Sequence, residues 1–229
     1  MSNEPVPAQK PKGKGCFFYG CLTLVILALV LGIGGFLAVR YGLGKLAALV
    51  EKYTEPTPMT MATVQMPAAE YQQLDKRITT FTDALNAQKA TPDLVLSGDE
   101  INALIANNPA WKELKGKMHV AIEGDQIKSQ VSIPMDEFAK LPGMSRLKGR
   151  YLNGTAALKA SLSNGALFVT MQSLQVKGES PPEEFMSSLR AQNLAQNMHQ
   201  DPKSAEVLRK IESIEVKDGK ITIKAKAKE

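Results

Sequence analysis

Three hydrophobic rhythms follow one another along this 229-residue chain. The first is an unbroken apolar run. Residues 16–39, CFFYGCLTLVILALVLGIGGFLAV, carry no charge. A bilayer's hydrocarbon core is about 30 Å thick and a helix rises about 1.5 Å per residue, so about 20 apolar residues span it. The run therefore predicts a membrane-spanning helix. Gly32, Gly34 and Gly35 cost helicity in water but are common in membrane helices. Tyr19 and Tyr41 suit the two interfaces. A cleaved signal peptide would have a shorter core, about 7–15 residues, ending in a small-x-small site. FLAVRYG offers no such site. FYGC suggests lipidation at Cys21, yet the apolar run follows that cysteine when it should precede it. The anchor is expected to be uncleaved.

The second rhythm is helical. Leu43, Leu46, Ala47 and Val50 recur at helical spacing, either prolonging the membrane helix or lying along the surface. Glu55-Pro-Thr-Pro58 breaks any helix, and PTPMTMATVQMP reads as an extended tether. Tyr71, Leu74, Ile78, Phe81 and Leu85 then form one apolar stripe on an amphipathic helix over 68–88. Ser97-x-x-Glu100 is a capping box, with Ile101, Leu104 and Ile105 on one face of the helix it opens.

The third rhythm has period two. A short strand covers 93–96. Met118, Val120 and Ile122 alternate, Gly124-Asp125 turns, and Ile127, Val131, Ile133 and Met135 alternate back. Leu152, Ala156, Leu158, Ala160 and Leu162 pair across Asn164-Gly165 with Leu167, Val169 and Met171. The phase then slips to Leu174 and Val176, which predicts a bulge near Ser173. Pro181-Pro182 opens a helix with Phe185, Leu189, Leu194 and Met198. Asp201-Pro202 opens another with Val207, Leu208 and Ile211. A last hairpin turns at Asp218-Gly219.

The predicted fold class is α+β: an N-terminal transmembrane helix, then a mainly antiparallel sheet built from hairpins and packed against helices. The alternation predicts one buried face, under the helices. The expected organisation is a basic tail at 1–15, the span at 16–39, a juxtamembrane helix and tether at 40–65, and an α+β domain at 66–229.

Charge sharpens this picture. Residues 1–54 hold six basic and two acidic side chains, whereas the remainder holds 22 and 21. The basic balance is a membrane-flank signal, and no nucleic-acid partner is expected because the domain lacks a basic face. Lys10, Lys12 and Lys14 precede the span; Arg40, Lys45 and Lys52 follow it. The flanking charges tie, so orientation rests on the short basic tail, which places the N-terminus in the cytoplasm and the domain outside it. Both cysteines, Cys16 and Cys21, lie in the span, so the domain contains neither a disulfide framework nor a cysteine metal site.

No chemistry-bearing motif emerges. His119 falls on the outward phase of its strand and His199 ends a helix; neither has a ligand partner at metal spacing. Asp99/Glu100, Asp136/Glu137 and Glu183/Glu184 each open a helix, where negative charge offsets the dipole. No catalytic, cofactor or metal residue is assigned, and no enzyme activity is expected. Asn153-Gly154-Thr155 matches a glycosylation sequon, or else marks a turn or kink. Trp111 reads as a core plug. Met118, Leu158, Phe168, Met171, Phe185 and Leu189 are the candidate lining of an apolar ligand site. Methionines at 118, 135, 144, 171, 186 and 198 suit either an adaptable cavity or an ordinary core.

The order of basic tail, single span and tether is followed by Leu-Val-Leu-Ser-Gly-Asp-Glu-Ile-Asn-Ala-Leu-Ile at 94–105. Ile-Glu-Val-Lys-Asp-Gly-Lys-Ile-Thr-Ile closes the chain at 214–223. In this the chain resembles the YpmS-like group of small bacterial membrane-anchored proteins. More distantly it resembles bacterial proteins with a tubular lipid-binding (TULIP-like) fold. Gly149-Arg-Tyr-Leu-Asn-Gly-Thr155 and Asn193-Leu-Ala-Gln-Asn197 are similar to segments of envelope proteins of the same style. The resemblance implies an extracytoplasmic domain on the inner membrane and contact with lipid, and it carries over no catalytic residue.

Three functions compete. In the first, the domain encloses a lipid or another apolar envelope ligand. In the second, a solid domain docks a membrane or envelope protein through an edge strand or a helix face. The third is an enzyme of unfamiliar type. An open or filled interior separates the first two.

Overall fold

The computed structural model describes residues 50, 52–141, 144–163, 165–196 and 200–226. The basic tail, the apolar run at 16–39, both cysteines, Asn164, Met198 and His199 lie outside them. Among the described residues no helix is long and apolar enough to cross a membrane.

The described chain is α+β, with two antiparallel sheets packed against helices. Helix α1, Ala68–Ala87, buries Leu74, Phe81 and Leu85 along the expected stripe, with Tyr71 and Ile78 half-buried beside them. It stops where Gln88 turns left-handed. Strand β1, Leu94–Ser97, runs straight into α2, Gly98–Asn107. The capping box forms reciprocally: Glu100 N–H donates to Ser97 Oγ at 3.2 Å, and Ser97 N–H donates to Glu100 Oε2 at 2.9 Å.

Two hairpins follow. Strands β2 (Met118–Glu123), β3 (Gln126–Pro134), β4 (Tyr151–Ser163) and β5 (Ala166–Val176) form one sheet in that order. Between β3 and β4 lies a small lobe, with one helical turn, α3 (Asp136–Ala139), and a 3-10 turn at Ser145–Leu147. The phase slip in β5 is a bulge. Ala157 faces Ser173 and Leu158 faces Met171, so Gln172 is the extra residue.

Helix α4, Glu183–Ala191, ends before Leu194, short of the length its apolar spacing predicted. Gln192 goes extended, and the side chain of Asn193 bonds the edge of β5 instead. Helix α5, Pro202–Lys210, is capped by Asp201, whose Oδ2 accepts from Ser204 N–H at 2.8 Å. Strand β6, Ile211–Lys217, follows without a loop, so Ile211 opens a strand and does not close a helix. Strand β7, Lys220–Ala225, returns through Asp218 and Gly219, both at positive φ (52° and 75°), as a tight primed turn requires. The second sheet has the order β1-β7-β6.

Two apolar cores result. The first joins α1, α2, Trp111, Met118, Leu162, Leu208 and the inner side of the β1-β7-β6 sheet. The second joins Tyr53, Met135, Leu147, Leu152, Leu158, Met171 and the buried face of α4. Ile127 and Val169 pack against both.

The hairpins divide between two sheets where one was expected. Two further expectations are corrected. Strand β4 is buried on both faces, not one: Leu152, Asn153 and Gly154, then Ala156, Ala157 and Leu158, are all buried. Its small residues let neighbours close in. A Cβ on Gly154 would stand 3.0 Å from the Gln175 carbonyl oxygen of β5, which only glycine avoids. The sequon is therefore strand interior, neither turn nor kink, and Asn153 is 2 % exposed.

The second correction concerns the tether, whose first part is docked on the domain. Where β5 ends at Val176, Glu55 takes its place beside β4. Glu55 N–H donates to Tyr151 O at 2.9 Å, and Tyr151 N–H donates to Glu55 O at 2.8 Å.

Candidate functional site

The six candidate lining residues do not converge on an opening. Leu158, Met171, Phe185 and Leu189 meet in the second core. Met118 belongs to the first. Phe168 alternates out of β5 and is 45 % exposed. A ligand-sized cavity would leave its walls accessible to a water-sized molecule. Met171 is 0 % exposed, Met186 2 %, and Leu158 and Met118 7 % each, so they touch side chains and not open space. Met135 is likewise buried, and Met144 is half-buried against the second core. Trp111 is a buried part of the first core.

Two surface grooves lie along α1. One, of about 440 Å³, runs between α1 and β1 over Phe81, Pro92 and Leu94, with Lys76 and Arg77 on its rim. Arg77 is engaged there by Glu100 and by the Val95 carbonyl. None of the six candidate residues lines this groove.

The densest polar site centres on Asn153, which the sequence marked only as part of a sequon. Asn153 sits on the β4 face opposite Leu152 and joins four partners. Its Oδ1 accepts from Met59 N–H at 3.1 Å and from Ser132 Oγ at 2.8 Å. Its Nδ2 donates to Glu55 Oε2 at 2.5 Å and to Thr57 O at 2.9 Å. Arg150 adds Nε to Thr54 Oγ1 at 2.6 Å and a guanidinium N–H to Thr54 O at 2.7 Å. Residues 53–59 are thereby clasped onto the sheet. The site is saturated, which suits a structural joint and leaves Asn153 closed to a glycan-transferring enzyme once folded.

Two more asparagines seal the edges of the four-stranded sheet. The Asn102 side chain, 6 % exposed, donates to Val120 O at 2.6 Å and accepts from Val120 N–H at 2.8 Å on outer strand β2. Asn193 treats outer strand β5 the same way, accepting from Val169 N–H and donating to Leu167 O, both at 2.9 Å. Each amide imitates a neighbouring strand and occupies backbone groups that an added strand would need. His119, expected to face solvent, is half-buried with Nε2 3.3 Å from Asn102 Nδ2.

Three charged groups on the surface have pKa values displaced from the ordinary ones. The hydrogen bond to Glu179 raises Lys52, with Tyr53 adding to it. Lys159 lowers Asp125, and Lys210 lowers Glu206. No group of three or more His, Cys, Asp or Glu able to hold a metal exists among the described residues. Compared with known protein families, curated proteins and solved structures, the chain matches none.

Proposed function

We propose that this is a single-pass, non-enzymatic protein of the bacterial inner membrane, of the YpmS-like kind. Its α+β domain stands outside the cytoplasm and docks a membrane or envelope protein on its surface. The anchor rests on the uncharged run at 16–39, and the outward placement on the short basic tail. The packed second core carries the docking reading. Its central side chain, Met171, is 0 % exposed, so recognition has the surface to work with. On the four-stranded sheet, the asparagines bonded to edge strands β2 and β5 favour a helix face or a loop over an added strand. An enclosed lipid is the second reading, and it needs an interior opened by displacing this core.

The two readings part on Ala156→Leu in the second core. A solid core loses about 1–3 kcal/mol to overpacking, read as a lower denaturant midpoint. Unchanged or raised stability would put the enclosed-ligand reading first. Docking itself is tested by a photo-crosslinker at exposed Gln73 on α1, in cells making the full chain. One discrete protein adduct is expected, and adducts to lipid alone would defeat it.

A further inference from the structure

The lobe between β3 and β4 lies at the end of the domain where the described chain begins. Val50 packs against the second core, and so do Phe138, Ala139 and Met144 of the lobe. Ten residues, 40–49, separate Val50 from the apolar run. They span about 15 Å as a helix and at most about 35 Å extended. Strand β4, 13 residues and about 40 Å long, leads from this end to Leu162 in the first core. In an anchored chain the lobe is therefore the near end and α1 the far one.

The lobe's surface has two features that belong together. Leu141 is 52 % exposed at its tip. Its backbone is bonded on both sides: Leu141 N–H donates to Phe138 O, and Met144 N–H donates to Leu141 O, both at 3.1 Å. Buried Leu147 pins the 3-10 turn, which leaves its neighbours Arg146 and Lys148 exposed. Residues 136–150 hold four basic and two acidic side chains. Lys140 is bound by Glu137 at 2.6 Å, Arg150 by Thr54, and Asp136 by Gly149 N–H at 2.9 Å. Arg146 and Lys148 make no ion pair with any described residue. A single exposed leucine is ordinary on a protein surface. One in the same short lobe as two uncommitted cations, at the membrane-near end, matches the chemistry of an anionic interface.

We infer that the lobe rests on the anionic headgroups of the bilayer that anchors the chain, with Leu141 entering the interface and Arg146 and Lys148 meeting phosphates. This rests on the anchored reading above. Together with the clasp on residues 53–59, such a contact fixes the tilt of the domain and points α1 away from the membrane.

The test uses the full chain with Cys16→Ser and Cys21→Ser, labelled with an environment-sensitive fluorophore through Ser145→Cys in the lobe or Lys89→Cys beyond α1. It is reconstituted in phosphatidylcholine vesicles with or without phosphatidylglycerol. The lobe label is expected to be quenched by headgroup-level nitroxide lipid, more strongly with phosphatidylglycerol, and the Lys89 label is not. Arg146→Gln and Lys148→Gln should each lower the docked-to-undocked ratio about fivefold. A chain that floats with the vesicles but shows equal quenching at both labels overturns the lobe contact alone. A chain that does not float overturns the anchor, and the lobe contact with it.

Discussion

In the first core the apolar side chains come from regular elements that are near neighbours in sequence. Helix α1, strand β1 and helix α2 follow one another over 68–107 and supply nine of its buried members. In the second core the contributors are scattered: Tyr53, Met135, Leu147, Leu152 and Phe185 come from five separate stretches. A buried polar joint, Asn153, holds the entering segment beside it. The first core is organised by helical periodicity and is stable to the extent that apolar area is buried. The second depends in addition on a hydrogen-bond network whose members are costly only when one is removed. Two ways of closing a domain thus meet on one long hairpin, β4–β5.

Truncation within the cores should give the largest effects and test whether both are equally solid. Leu74→Ala in the first and Met171→Ala in the second should each cost about 3–5 kcal/mol, read from denaturant unfolding. A much smaller loss at Met171 would break the comparison, because it would mean that the second core is loose.

Asn153→Ala should cost about 3 kcal/mol, since several buried partners lose a bond worth about 1–3 kcal/mol each when left unmet. Part of that is recovered as residues 53–59 lift into water. Amide exchange should therefore accelerate at Met59 and Tyr151 more than in α1. Uniform acceleration would show that the clasp and the cores open as one unit.

The sealed edges come next. Asn102→Ala strands both backbone groups of Val120 and should cost about 2 kcal/mol. Asn193→Ala, at a half-buried site, should cost less. Self-association of either variant through the freed edge would show that the amides also guard against strand addition.

The smallest effect is electrostatic. The hydrogen bond from Lys159 holds the Asp125 carboxyl below its ordinary 3.8. A lowered folded value means that this contribution is present above the ordinary value and is lost as the pH falls through the lower one. Lys159→Gln should return the Asp125 titration, followed by NMR, towards its ordinary value. No movement would mean that the pair is broken in solution.

Much of the fold was legible because its signals are local. The α1 stripe, the Ser97–Glu100 box, the Asp218-Gly219 turn and the slip that became the Gln172 bulge each involve residues a few positions apart. The α4 boundary was misread because Leu194 continues the apolar spacing while Asn193 is drawn to β5, more than twenty positions back in the chain. The tether was misread for the same kind of reason: its prolines announce extended chain, which is right, but the partners are Ser132, Arg150 and Asn153. Of the six candidate lining residues, five carried a sound burial signal. Phe168 is out of phase with Leu167 and Val169 and faces water.

What the sequence determined by itself is therefore whatever depends on the spacing of neighbours: helices, strands, caps, turns and the uncharged run at 16–39. Tertiary structure alone decided that β4 is covered on both faces, that asparagines seal two strand edges, and that residues 53–59 are fastened and not free. Hydrophobic periodicity records only that a side chain is buried. Its contact partner, or the backbone group that an amide will satisfy, is fixed by chain segments up to 98 positions apart that meet only on folding.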